Sequence, residues 1–203
     1  MSVTFGPDEP KMFGLAGLET CLASRIAGVV TAPHLPGANA PKLVTEEHRW
    51  PLPAEPTAEG RFVGGDWADD SAIGWWAEAA HPTQDAVRVI DGAADARGAA
   101  ALWVTSRRAM VVFPRKLLAD SPEAKAGGFR LFSSRTEWEI GDEVHDHLTI
   151  DANRIAGYRA VMVGRMIPSA TFVVIGFADG SELYVRHDDP EKAVKALREL
   201  HGK

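Results

Sequence analysis

Thr171-Phe172-Val173-Val174-Ile175-Gly176-Phe177, then Ala178-Asp179-Gly180, then Ser181-Glu182-Leu183-Tyr184-Val185-Arg186, is the stretch whose reading decides the fold. Two runs rich in β-branched and aromatic residues flank an Asp-Gly pair, and the glycine supplies the positive φ that a tight hairpin needs. The segment reads as two antiparallel strands. Directly after it, Asp188, Asp189 or Pro190 opens a helix, with the proline suited to a first turn. Ala193, Val194, Leu197 and Leu200 form an apolar stripe against Lys192, Lys195, Arg198 and Glu199, so one amphipathic helix closes the chain.

Working back from the hairpin, short runs at His147 to Ile150 and Tyr158 to Val163 read as further strands, and Thr136 to Ile140 alternates strictly with Trp138 and Ile140 on one face. Phe129 to Phe132 reads as another strand. Ala101-Leu102-Trp103-Val104-Thr105 and Met110-Val111-Val112-Phe113 flank the polar break Ser106-Arg107-Arg108 and are expected to pair as a hairpin that Pro114 ends. Ala86 to Ile90, bounded by Asp91-Gly92, also reads as a strand. About seven strands followed by one terminal helix favour a twisted meander that covers its own edges. The expected fold is therefore α+β, mainly β: a seven-stranded bent sandwich or barrel over residues 84–203, capped by the C-terminal helix. Its core should contain Val89, Leu102, Val104, Val111, Trp138, Ile140, Phe172, Val174, Leu183, Val185, Val194 and Leu197.

Residues 1–83 read as an extension. Leu15, Leu18, Leu22, Ile26 and Val29 recur at helical spacing, which predicts a helix over 14–30. Pro33, Pro36, Pro41, Pro51, Pro53 and Pro56 make 33–60 a proline-rich coil, and Asp66 as an N-cap predicts a second helix over 66–80. Residues 1–100 carry 7 basic and 14 acidic side chains, whereas 101–203 carry 15 and 14. That asymmetry, with Leu43, Val44, Trp50 and Leu52 wanting burial, predicts that the extension docks on the domain.

The element order, with Leu102-Trp103-Val104-Thr105-Ser106-Arg107-Arg108 at its first hairpin, resembles the bacterial pleckstrin-homology-like and GRAM-like domains. Ile155-Ala156-Gly157 and the turn Phe177-Ala178-Asp179-Gly180-Ser181 resemble two further features of those families. The resemblance covers residues 84 to 201 and implies a seven-stranded barrel plugged by the C-terminal helix. It also implies a binding role, since members take phosphoinositides, peptides or proteins.

Across the whole chain, 203 residues with 45% apolar content suffice for a real core, and a net charge of −6 argues against nucleic-acid binding. The single cysteine, Cys21, can form no internal disulfide and sits among apolar neighbours as a core thiol would. No apolar run is long enough for a transmembrane segment and the first residues are acidic, which reads as a soluble cytoplasmic protein. No catalytic set emerges: Ser133, Ser134 and Ser169 lack a nucleophile-elbow context, there is no phosphate-binding glycine motif, and no cofactor is expected. His145-Asp146-His147 with Asp151 offers metal-ligand types but too few convergent ligands, so no metal site is expected either.

Two features carry the functional expectation. Arg107, Arg108, Arg115, Lys116, Lys125, Arg130 and Arg135 stand against only Asp120 and Glu123 between residues 105 and 135, and such a cluster suits lipid phosphates or an acidic partner. The alternative is that it neutralises the acidic extension. Trp75 and Trp76, adjacent on the expected helix, cannot both face one core, so one is expected at the surface as a barrel cap or a partner anchor. The expected function is a non-catalytic binding module for a protein partner or for self-association, with anionic-lipid binding through 107–135 as the alternative. The strand after Ser106-Arg107-Arg108 separates that turn from Arg115-Lys116, so the basic cluster is expected to split in space.

Overall fold

The computed structural model describes residues 9, 12–16, 20–44, 50–122, 138–139 and 141–202. Among them are ten strands: β1 (Met12–Ala16), β2 (Cys21–Ile26), β3 (Val29–Thr31), β4 (Ile73–Ala79), β5 (Ala101–Thr105), β6 (Arg108–Pro114), β7 (Val144–Asp151), β8 (Ile155–Val163), β9 (Ala170–Phe177) and β10 (Glu182–Arg186). Three helices join them: the single turn α1 (Glu55–Ala58), α2 (Asp85–Asp95) and α3 (Pro190–His201). The chain is α+β and mainly sheet, with the expected C-terminal helix. No helix is long and apolar enough to cross a membrane among the described residues.

Of the expected seven-stranded bent sandwich or barrel, no closed barrel forms among the described residues. Two open sheets pack on each other, one of four strands in the order β1-β5-β6-β7 and one of six in the order β3-β2-β4-β10-β9-β8. The larger takes three strands from before residue 84 and three from after. Its β2 and β4 run parallel, and β4 then pairs antiparallel with β10, so the early chain is hydrogen-bonded to the last hairpin. One shared core lies between the sheets, with Leu15, Leu102, Val111 and Phe113 from one side, Trp75, Val173, Ile175 and Leu183 from the other, and α2 and α3 packed into it. Of the twelve expected core residues, ten are buried, Trp138 is half-buried, and Ile140 lies outside the described residues.

Three elements differ from the sequence reading. Within 14–30 the described residues form strands and a turn, not a helix: Ala27 and Gly28 both have positive φ, 49° and 85°, and turn β2 tightly into β3 with Ile26 opposite Val29. Cys21, Leu22, Ala23 and Ser24 are all buried because the sheet is covered on both faces, which erases the alternation that marks a strand. Residues 66–80 are a short 3-10 turn, Asp66–Asp69, followed by β4. Ala86 to Ile90 belongs to α2, where Ala86, Val89, Ile90 and Ala93 face the core at helical spacing. Gly92, read as a turn, lets α2 lie against β7, since a Cβ there would stand 3.3 Å from Leu148 Cβ.

The outer faces carry smaller apolar clusters. Trp67 stacks on Trp76 with ring centres 4.4 Å apart, and Phe172, Cys21 and Ile73 complete that cluster over the six-stranded sheet. Trp103 and Trp138 meet over the four-stranded sheet, where Trp138 Nε1 donates to the Ala99 carbonyl at 2.9 Å. The expected strand at 129–132 and most of that at 136–140 lie outside the described residues.

Candidate functional site

Among the described residues, the basic pairs Arg107-Arg108 and Arg115-Lys116 do not converge. Arg108 and Pro114, at the two ends of β6, pair with Asp151 and Val144 at the two ends of β7, so the turn carrying Arg107 and Arg108 is a strand length away from Arg115 and Lys116. Carboxylates already meet three of these four. Arg108 donates to both oxygens of Glu9 at 3.2 Å, Arg115 reaches Glu143 at 3.0 Å, and Lys116 lies 3.0 Å from Asp142 and 3.3 Å from Glu139. Of these acids only Glu9 belongs to the acidic first half. Thr105 explains the local sequence at this turn: its hydroxyl accepts from the amides of Arg107 and Arg108, both at 3.2 Å, and holds the turn closed. Lys125, Arg130 and Arg135 lie outside the described residues.

Neither tryptophan expected at the surface is there. Trp75 and Trp76 are consecutive on a strand, so they point to opposite faces, and both faces are covered. Trp75 joins the central core, and Trp76 donates to Glu78 at 3.1 Å beneath Trp67. His145 and His147 share one face of β7 with ring centres 6.0 Å apart, and His147 bonds Asp95 of α2 at 2.9 Å. Burial, reinforced by nearby positive charge, pushes the His145 imidazole below its ordinary pKa. Among the described residues, no three acidic, histidine or cysteine side chains are grouped to hold a metal. Burial, with the Asp70 charge behind it, pushes the Cys21 thiol up to about 12, the opposite of an activated nucleophile.

Tertiary structure also assembles a trio that no local motif announced. Ser24 Oγ lies 3.1 Å from His34 Nδ1, and His34 Nε2 lies 2.6 Å from Asp91 Oδ1. The residue types are those of a hydrolytic triad, but the access is reversed: Ser24 is fully buried on β2 while the Asp91 side chain is 52% exposed. A triad needs an open nucleophile and a shielded carboxylate. Here the trio pins the loop after β3 onto α2, as does the Gly37 amide donating to Asp95 at 3.0 Å.

One open edge among the described residues is formed by β8. This nine-residue strand ends the six-stranded sheet and pairs only with β9 among the described residues. Arg198 of α3 donates to the Tyr158 carbonyl at 2.8 Å, so that carbonyl faces away from β9. Backbone groups alternate sides along a strand, and the N–H and C=O of Ala160 and Met162 therefore face the same open side. A groove of about 600 Å³ runs between this edge and α3, lined by Arg159, Ala160, Val194, Lys195 and Arg198 with Glu191 and Glu199. A second, of about 410 Å³, lies on the outer face between β8 and the loop at Gly64-Gly65, with Trp67, Val161, Val163 and Tyr184 in its walls.

Arg159 borders both grooves and is held in place. It donates to Glu182 and to the Tyr184 hydroxyl, and its guanidinium stands 5.7 Å above the Tyr184 ring. Burial disfavours the Glu182 carboxylate, yet the hydrogen bonds from Arg159 and Tyr184 outweigh it and leave its pKa below the ordinary range. Burial pushes the Tyr184 hydroxyl up, so it stays protonated. Arg25 and Glu78 bridge at 2.7 Å on the far wall of the outer groove. Sequence reading picked out none of this, because Arg159, Glu182 and Tyr184 are unremarkable in a strand until the sheet aligns them. No family model, curated protein or solved structure matches the chain.

Proposed function

We propose that this protein is a non-catalytic protein-binding module that takes up an extended segment of a partner along the edge of β8. The observation that carries this is the pair of grooves, one on each side of an open strand edge, meeting at Arg159. Side chains of an added strand alternate between the two sides of a sheet, so such a segment sends successive residues into one groove and then the other. Its backbone finds the donors and acceptors of Ala160 and Met162. Lipid binding through residues 107–135 has less support, because Arg108, Arg115 and Lys116 already face carboxylates at separate ends of β6.

Selection of a random peptide library on the full chain tests the reading, with Ala160→Pro as the counter-target. Proline at Ala160 removes an amide that faces away from β9, a position where an edge strand tolerates it. Recovered peptides should bind the native chain and lose binding to the variant. Failure to recover any peptide from chain diluted until it is monomeric, or equal binding to both proteins, overturns the proposal.

A further inference from the structure

The β8–β9 hairpin ends in an apolar tip that nothing among the described residues covers. Ile167 is 97% exposed, Met162 78% and Met166 59%. The tip leans toward the outer face of the sheet, because the amides of Arg165 and Met166 donate to the Asp69 carboxylate at about 3 Å. At the other end of β8, on that same outer face, lie Gly157 and its cross-strand partner Gly176. A Cβ built on Gly157 would meet nothing within 4 Å, and one on Gly176 would meet only the Gly157 carbonyl at 3.9 Å. One strand thus carries an exposed apolar knob at one end and a bare glycine floor at the other.

The register of the open edge connects the two. With the Tyr158 carbonyl taken by Arg198, Ala160 and Met162 are the residues of this stretch whose N–H and C=O both stay open on the edge. A second β8 running antiparallel uses them fully when Ala160 of each copy pairs with Met162 of the other, which makes four hydrogen bonds and sets a two-fold axis at Val161. In that register Val163, the last residue of β8, stands opposite Arg159 of the other copy, and the tip that follows it lies level with Gly157 two residues further on. The knob of each copy then falls over the glycine floor of its neighbour. The α3 wall of the edge groove carries both signs, Glu191 and Glu199 with Lys195 and Arg198.

We infer that the occupant of this edge is a second copy of the chain: β8 pairs with β8 across a two-fold at Val161, joining two six-stranded sheets into one of twelve strands. This rests on the β8 edge being the binding surface and goes further in naming what occupies it.

Sedimentation equilibrium of the full chain, from micromolar to submillimolar concentration, tests it together with hydrogen exchange at the Ala160 and Met162 amides. Three variants probe three parts of the seam: Ala160→Pro the backbone pairing, Ile167→Asp the knob, and Gly157→Gln the floor. Ile167 is exposed, a Cβ on Gly157 meets open space, and the Ala160 amide faces away from β9, so the variants should keep the native circular dichroism spectrum. The expected result is a dimer with both amides protected, lost in Ala160→Pro and weakened about tenfold or more in Ile167→Asp and Gly157→Gln. A chain that stays monomeric throughout overturns the inference, while the β8 reading still stands or falls by the peptide selection. A dimer indifferent to all three variants, with both amides exchanging freely, overturns the inference by showing association through another surface.

Discussion

Asp179, in the turn of the last hairpin, should be among the most sensitive positions in the molecule, because it caps a helix 94 residues away in sequence. Gln84, which precedes α2, gives no side-chain cap to that helix. The hairpin turn supplies the cap instead: Asp179 Oδ2 accepts from the Asp85 amide at 2.7 Å, and Ser181 Oγ accepts from the Ala86 amide at 3.1 Å. The other oxygen of Asp179 accepts from the Ser181 hydroxyl at 2.6 Å and from its amide at 3.0 Å. Gln84 closes the junction by donating to the Asp179 carbonyl and accepting from the amides of Ala80 and His81. Losing a helix cap costs about 1–2 kcal/mol, and leaving Ser181 without its acceptor adds about 1 kcal/mol. Asp179→Ala should therefore lower unfolding stability by about 2–3 kcal/mol in urea titrations at neutral pH.

The pH dependence should move in a defined direction. Burial disfavours the Asp179 carboxylate, but hydrogen bonds from Ser181 and Asp85 and the Arg154 charge outweigh it, so its folded pKa lies below the unfolded one. Its contribution is then complete above the unfolded value of about 4 and is lost as pH falls through the folded value. Asp179→Asn should flatten that part of the acid limb. A loss below about 0.5 kcal/mol for Asp179→Ala, the range of an ordinary surface substitution, would refute the account of this junction.

Two further outcomes follow from the site geometry. The Cys21 thiol, fully buried and pushed up to about 12, should resist Ellman's reagent in the native chain and react stoichiometrically once the chain is unfolded; complete labelling within seconds under native conditions would contradict its placement. Anionic vesicles should not co-sediment the protein at physiological salt, where each surface charge contributes only about 1 kcal/mol; strong binding abolished by replacing both Arg107 and Arg108 with Ala would restore the lipid reading.

Features written in local signals were legible before folding. Asp179-Gly180 between two β-branched runs fixes β9 and β10, the polar break before Arg108 fixes β5 and β6, and the stripe ending at Leu197 and Leu200 fixes α3. Each depends on residues a few positions apart, and so does the separation of Arg108 from Arg115, which follows from strand length alone. What sequence could not decide depends on partners far along the chain. Cys21 to Ser24 shows no alternation because both faces of β2 are covered, one by the central core and the other by Trp67 and Trp76. Ala86 to Ile90 has strand-like composition, and its helix is settled by the cap arriving from Asp179 and Ser181. Trp75 and Trp76 are both buried only because β4 lies between β2 and β10. The open edge is the furthest from local information: whether β8 has one neighbour or two is a property of the whole sheet, and so are the grooves that meet at Arg159.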